Sequence, residues 1–202
     1  MEEFVEISVN DQNKYVRRNI PLLQALKEKN IILPSLCFSS KLEPYGSCGL
    51  CILEVYGENS WKVKHACLMQ AEDGLRIRTR SARISKLQAQ AARLLLKRGP
   101  FLKQEVEELL LSLIIQSKEG YNSGSYKDIN AGCILCGLCV RICKKTGNNK
   151  LVFLGKGKNL RVGLVEGSQP DICNRCKACR HICPTGFISH DARKVFTAHL
   201  FK

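Results

Sequence analysis

The alternation of apolar and polar residues predicts several β-strands in the first part of the chain. Residues 4–9, 52–56 and 75–79 alternate as half-buried strands do, and residues 14–18 can return as the second strand of a hairpin. Residues 21–30 place their apolar side chains on one helical face, with a proline at the start and an asparagine at the end. The pattern predicts a small α/β module.

The next stretch of the chain has a helical period. Apolar residues recur at three- and four-residue spacing in residues 84–95 and again in 106–114, and Gly99-Pro100 interrupts the pattern. Glycine and serine between residues 121 and 127 indicate a loop or linker. We therefore expect two amphipathic helices that pack on each other or on the flanking modules.

Twelve cysteines among 202 residues leave three classes of protein: a disulfide framework, a zinc protein or an iron–sulfur protein. The chain opens with acidic residues and has no basic region followed by an apolar one, so export is not expected. No uncharged apolar stretch is long enough for a transmembrane segment. We expect a cytoplasmic protein with reduced thiols, in which clustered cysteines bind metal.

The formal net charge of +14 raises the possibility of a nucleic-acid partner. That count treats cysteines as neutral, whereas each oxidised cluster with four thiolates carries about −2, so three clusters would lower the total to roughly +8. The remaining basic residues are spread over several segments with little aromatic interleaving. We expect a solvated surface or a docking face for an acidic partner, and no nucleic acid.

The last third of the chain contains one cysteine motif twice. Each copy reads C-x2-C-x2-C-x3-C, and the second is followed by Pro184. In bacterial-type ferredoxins three closely spaced thiolates bind one 4Fe–4S cube, and the fourth cysteine binds the other cube. Zinc sites usually pair two separated C-x2-C knuckles, which disfavours zinc here. The motif predicts two cubes, one held by Cys133, Cys136, Cys139 and Cys183 and the other by Cys173, Cys176, Cys179 and Cys143.

The remaining set of cysteines consists of Cys37, Cys48, Cys51 and Cys67. Small residues in the loop before Cys51 can bring backbone amides close to bridging sulfides. Plant-type 2Fe–2S ferredoxins use C-x4-C-x2-C with a distant fourth cysteine, and the first gap here is six residues longer. The spacing favours a 2Fe–2S site, with zinc as the alternative.

Four segments around this set carry a family resemblance. They are Leu33-Pro34-Ser35-Leu36-Cys37, Gly46-Ser47-Cys48-Gly49-Leu50-Cys51, His65-Ala66-Cys67 and Glu72-Asp73-Gly74-Leu75. In this order they resemble the N-terminal 2Fe–2S domain of the large iron–sulfur subunit of respiratory complex I. The same domain occurs in the diaphorase (small) iron–sulfur subunits of NAD(P)-linked and electron-bifurcating hydrogenases. The motif from Cys133 to Cys143 is similar to the dicluster part of those subunits.

The resemblance covers residues 4–80 and 130–190 and implies an α+β architecture. It consists of a β-grasp 2Fe–2S ferredoxin domain (1–80), a helical connector (81–128), and a bacterial-type dicluster 4Fe–4S ferredoxin domain with a C-terminal extension (129–202). The implied cofactors are one 2Fe–2S cluster and two 4Fe–4S clusters. The family usually has a further cube bound by one histidine and three cysteines. Residues 81–132 contain neither residue type, so that cluster is not expected.

The resemblance also implies a role. We expect an electron-transfer subunit of a hetero-oligomeric oxidoreductase, between a flavin/NAD(P)H-binding subunit and a terminal oxidoreductase subunit, with a hydrogenase favoured. No nucleotide-binding glycine motif is present and no catalytic domain has room, so the chain is not expected to be catalytic alone. The alternatives are the iron–sulfur subunit of a succinate dehydrogenase or fumarate reductase, and a cluster-containing redox regulator.

Overall fold

A computed structural model of the protein describes residues 3–118, 131–165 and 175–188. The N-terminal part is built on a mixed five-stranded sheet. The strands run in the order β2-β1-β5-β3-β4, in which β1 and β5 are parallel and the other neighbours antiparallel. Their bounds are β1 Phe4–Val9, β2 Gln12–Arg17, β3 Ile52–Gly57, β4 Ser60–His65 and β5 Arg76–Arg78.

The first hairpin confirms the predicted turn and return strand. Val9 pairs with Gln12, which leaves a two-residue loop. Its residues, Asn10 and Asp11, have φ angles of 50° and 64°. Asparagine and aspartate tolerate this left-handed conformation, which tight hairpins with the natural twist require. The returning strand therefore starts at Gln12, two residues earlier than the apolar pattern indicated.

One helix, α1 (Leu22–Glu28), packs against the sheet and closes the first core. Leu22 and Leu26 of this helix are fully buried, together with Ile7 and Leu53 of the sheet. The predicted helix is confirmed. It ends at Glu28 rather than Asn30, because Asn30 adopts a left-handed φ of 60°, which a helix interior does not accommodate.

Strand β4 was not predicted from the sequence. It pairs with β3 through a second two-residue turn at Glu58 and Asn59. Its residues alternate between intermediate and exposed rather than between buried and exposed. Lysines at 62 and 64 occupy the outward positions, so the strand resembles a polar loop when hydrophobicity alone is considered.

Helices α2 (Ala82–Leu96) and α3 (Gln104–Gln116) form the predicted helical pair. Ser81 caps the start of α2, since its hydroxyl accepts a hydrogen bond from the Ile84 amide at 3.1 Å. The second hydrophobic core lies between these helices and the cysteine loops. It includes Ala89, Ala92 and Leu110 from the helices and extends to Cys48 on one side and Cys136 on the other. The helices therefore join the two cysteine-rich parts.

The described residues of the C-terminal part include two short α-helices and a hairpin. These are α4 (Leu138–Lys145), β6 (Leu151–Leu154), β7 (Arg161–Leu164) and α5 (Ala178–Ile182). The hairpin was not predicted, because each strand has only four residues and basic residues surround them. The linker predicted at residues 121–127 lies outside the described residues. Among the helices of the described ranges, none has the length and apolar character needed to cross a membrane.

Candidate cluster-binding sites

The first four cysteines lie in the N-terminal part as two close pairs. The Cys37 Sγ donates to the Cys48 Sγ at 3.4 Å, and the Cys48 amide also points at the Cys37 sulfur at 3.4 Å. Cys51 and Cys67 form the second pair, linked by a hydrogen bond between their side chains. All four are at most 4% exposed. The set predicted from spacing is therefore brought together and shielded from water.

Within each pair, one thiol ionises more easily than a free cysteine and its partner less easily. The hydrogen bond donated by Cys37 lowers the pKa of Cys48 to about 6, and the same contact together with burial raises the pKa of Cys37. In the second pair the contact with Cys51 lowers the pKa of Cys67, and the contact with Cys67 together with burial raises the pKa of Cys51. One thiol of each pair thus ionises readily, and thiolates are the ligands that iron requires.

Backbone groups complete this site. Besides the Cys48 amide, the Ser47 amide hydrogen-bonds to Cys37 and the Leu50 amide hydrogen-bonds to Cys48, and both interactions favour the thiolate. Gly46 holds a φ of +69°, and a Cβ there would come within 2.7 Å of Leu68. The loop needs glycine at this position because only glycine adopts the conformation without strain.

The donor set fits a binuclear cluster better than a single ion. A tetrahedral zinc site brings its protein ligands together on one atom. A 2Fe–2S centre instead divides its four thiolates between two irons. The two close pairs of buried thiols match that division.

A second group of cysteines gathers at the start of α4. Burial raises the pKa of Cys136 to about 12, and Cys133 and Cys183 also act on it electrostatically. Burial likewise raises the pKa of Cys139, on which Cys136, Cys133, Cys183 and Cys179 act in turn. Cys133, Cys136, Cys139 and Cys183 are the residues that the crossed pattern assigns to one cube, and Cys179 belongs to the other. Cys143, four residues beyond Cys139, is not among the groups with the largest effects on either thiol.

The connection between α2 and α3 supports this group from outside. Arg98 donates to the Cys133 carbonyl at 3.2 Å, and Lys103 donates to the Cys183 carbonyl at 3.2 Å. The two cations lie on either side of the Gly99-Pro100 turn, so one short segment holds two loops that are far apart in sequence. Sequence reasoning missed both roles, since nothing in the local pattern links residue 98 to 133.

The third set is partly described. The Cys143 sulfur accepts a hydrogen bond from the Lys150 amide at 3.2 Å, and the Cys176 sulfur accepts one from the Asn148 side chain at 3.4 Å. Helices α4 and α5, which carry Cys143 and Cys179, contact each other. Cys176 is exposed and Cys179 partly buried, unlike the other described cysteines. Cys173, the fourth predicted ligand, lies outside the described residues.

The N-terminal site and the α4 site are direct neighbours. Ser47, which precedes Cys48, donates from its hydroxyl to the carbonyl of Leu135, which precedes Cys136, at 3.3 Å. Gly137, with φ +72°, follows Cys136, and a Cβ there would meet Phe153 at 3.2 Å and Tyr45 at 3.8 Å. The Ser47–Leu135 hydrogen bond thus joins the two cysteine loops, and glycine at 137 permits the close packing of Phe153 on the second loop.

Comparison with known proteins supports the resemblance. A family model described as a 2Fe-2S iron-sulfur cluster binding domain matches residues 2–82. A subunit of an NADH-quinone oxidoreductase from Rhizobium meliloti is 26% identical over 206 residues, which cover 90% of this chain and 23% of that protein. The alpha subunit of an NADPH-Fe(3+) oxidoreductase from Geobacter sulfurreducens is 24% identical over 205 residues, covering 90% of this chain and 24% of that protein.

A solved structure has the same overall fold. A chain of an NAD+-reducing NiFe-hydrogenase in the H2-reduced state superposes with a TM-score of 0.64 and 23% identity, covering 81% of this chain and 76% of that chain. The predicted resemblance to complex I and hydrogenase iron–sulfur subunits is confirmed, as is a 2Fe–2S ferredoxin-type domain in a mixed α/β fold. The chain spans about a quarter of the length of the two curated relatives.

Proposed function

We propose that this chain relays electrons within a multi-subunit NAD(P)H-linked oxidoreductase. A flavin subunit that handles NAD(P)H would be one partner, and a terminal oxidoreductase subunit, with a hydrogenase favoured, would be the other. The proposed division is a β-grasp 2Fe–2S domain (1–80), a helical connector (81–128) and a dicluster 4Fe–4S domain (129–202). The chain would take no part in chemistry beyond electron transfer.

The observation that carries the proposal is the contact between two cysteine loops. The Ser47–Leu135 hydrogen bond joins the residue before Cys48 to the residue before Cys136. A catalytic site would present side chains around a substrate cleft, and structural zinc sites would be separate centres with four ligands each. Two loops that carry buried thiols and are hydrogen-bonded to each other are suited instead to passing charge between neighbouring centres.

Each part of the chain has a definable task. Cys37, Cys48, Cys51 and Cys67 would hold a 2Fe–2S cluster, and the two crossed sets of the C-terminal part would hold 4Fe–4S clusters. When bound, the clusters supply the change of iron valence that electron transfer needs. The protein buries the described thiols other than those of Cys176 and Cys179, directs backbone amides at several of the sulfurs, and sets the spacing of the sites through helices α2 and α3.

The names of the relatives favour this role over the alternatives. They are an NADH-quinone and an NADPH-Fe(3+) oxidoreductase subunit, and the structural neighbour is an NAD+-reducing hydrogenase. All three names refer to a nicotinamide nucleotide, which the chain itself has no motif to bind. A separate nucleotide-binding subunit is therefore part of the proposal.

The test separates electron transfer from chemistry at either end. The complex is purified anaerobically through a tag on this chain, as wild type and as Cys51→Ala. Without Cys51 the 2Fe–2S site loses a ligand, so NAD(P)H-dependent turnover of the complete complex should fall at least about tenfold. Reduction of a viologen dye by NAD(P)H should persist, because that half-reaction needs only the flavin subunit.

The control is Gln90→Ala, a change at an exposed position of α2. It should leave both the coupled reaction and the dye reaction at the wild-type rate. Full coupled activity in Cys51→Ala, or oxidation of NAD(P)H by the isolated chain, would show that this chain is not an obligatory electron carrier.

A further inference from the structure

Two cations of α4 reach across to the loop that follows Cys37. Arg141 donates from one guanidinium nitrogen to the Glu43 carbonyl and from another to the Cys37 carbonyl at 3.4 Å. Lys145 donates to the Lys41 carbonyl. Residues 141 and 145 are four apart, so both cations lie on one face of the helix. Three carbonyls of loop 37–45 are thereby bound to a helix about a hundred residues away in sequence.

The same loop leads into the contact between the cysteine sites. The Arg141 guanidinium lies over the Tyr45 ring, 5.2 Å from its centroid. Two residues later Ser47 makes its hydrogen bond to Leu135. The contacts of α4 therefore continue directly into the place where Cys48 and Cys136 approach each other, and releasing them would loosen that approach.

The positive charge of Arg141 is not neutralised by a carboxylate within the described ranges. Its acceptors are carbonyl oxygens, and the ion pairs among the described residues involve other side chains. Its Nε is buried and has no acceptor within the described part of the chain. A buried N–H without an acceptor is unfavourable, so this donor is available to a nearby negative group.

We propose that Arg141 and Lys145 form a cationic clamp that fixes the spacing of the 2Fe–2S site and the cube bound by Cys136, and that the Arg141 charge raises the reduction potentials of both. The clamp rests on the proposed function, because it requires clusters at both sites. The two cations are positioning residues. They bind the protein frame around the clusters and add a fixed positive charge, which favours the more negative reduced state.

Three substitutions separate the mechanical part of this role from the electrostatic part. Arg141→Gln removes the charge and the paired donors. Arg141→Lys keeps the charge but cannot donate to two carbonyls with a planar fork. Lys144→Gln, at the exposed position between the two clamp residues, removes an equal charge and leaves the three carbonyl contacts in place. Hydrogen exchange of the amides in residues 38–45 reports the clamp, and redox titration followed by electron paramagnetic resonance reports the potentials.

We expect Arg141→Gln to speed loop exchange about tenfold, as the loss of charge-assisted hydrogen bonds implies. It should also lower the midpoint potential of the 2Fe–2S cluster by about 59 mV, a tenfold change for one electron. Arg141→Lys should speed exchange while keeping the potential near wild type. Lys144→Gln should change neither quantity.

Wild-type exchange and potentials in Arg141→Gln, with iron content intact, would overturn the clamp. If Arg141→Gln loses iron, hydrogen exchange of residues 38–45 is measured in Arg141→Lys and Lys145→Gln instead. Wild-type exchange in both of these variants would also overturn the clamp. An unmodified protein without iron would instead refute the proposed function, so the two failures are distinguishable.

Discussion

The crossed assignment of the 4Fe–4S ligands can be tested by removing Cys183. Its side chain is 8% exposed, and the Lys103 side chain and amide hold its loop through the carbonyls of Cys183 and Thr185. Replacing Cys183 with alanine therefore removes one donor atom and leaves the supporting hydrogen bonds intact. The fully loaded chain should contain about ten iron atoms, and Cys183→Ala should retain about six. Cys143→Ala should also retain about six, because it damages the other cube.

Pairs of substitutions identify which cube is lost. Under crossed ligation Cys183 and Cys136 serve the same cube, so Cys183→Ala combined with Cys136→Ala should still retain about six iron atoms. Cys183→Ala combined with Cys179→Ala damages both cubes and should leave about two. The assay is iron and acid-labile sulfide per chain after anaerobic purification. Circular dichroism of each variant serves as the folding control.

Uncrossed ligation would reverse these results. If each run of four cysteines bound its own cube, the pair at 183 and 136 would leave about two iron atoms and the pair at 183 and 179 about six. That reversal would refute the reasoning from the electrostatic neighbours of Cys136 and Cys139. Stoichiometric zinc with little iron or sulfide in the wild-type protein would refute cluster binding altogether.

Two further predictions concern the helical pair. Gln88→Leu removes the 2.9 Å hydrogen bond to the Leu50 carbonyl beside Cys51 and should lower the free energy of unfolding by about 1–3 kcal/mol, whereas Gln90→Leu at the exposed position should change it little. Leu110→Ala, at a fully buried position between both cysteine regions, should lower it by about 2–5 kcal/mol, against little change for Leu94→Ala at 66% exposure. Urea unfolding followed by circular dichroism measures both, and equal effects in variant and control would contradict them.

The hydrophobic pattern of the sequence predicted those helices and strands that bury only one face. Strand β1 and helices α2 and α3 each bury one face, so their apolar residues recur at the period of the element. Strand β4 escaped prediction because neither of its faces is fully buried. Strands β6 and β7 escaped because four residues are too few to display a period. Hydrophobic periodicity indicates an element only where burial is uneven and the element long enough.

The cysteine sets could be predicted because metal chemistry restricts ligand spacing, and the contacts that hold the sets together could not. Arg141 reaches carbonyls at positions 37 and 43, and Arg98 reaches position 133. A carbonyl has the same chemistry at every residue, so no side-chain pattern marks which one will accept a distant cation. The proximity of the N-terminal site to α4 follows from the packing of α2 and α3 and had to be observed in three dimensions.

The two copies of the C-x2-C-x2-C motif show why spacing was a better guide than residue identity. Gly137 and Lys177 occupy the same position in the two copies, and both adopt a left-handed backbone, with φ of 72° and 51°. Glycine accepts that conformation freely, whereas a residue with a Cβ is disfavoured by about 1–2 kcal/mol. Since lysine adopts it nonetheless, the turn is imposed by the geometry of the surrounding loop. Glycine eases the turn in the first copy, and the cysteine spacing that both copies share is what requires it.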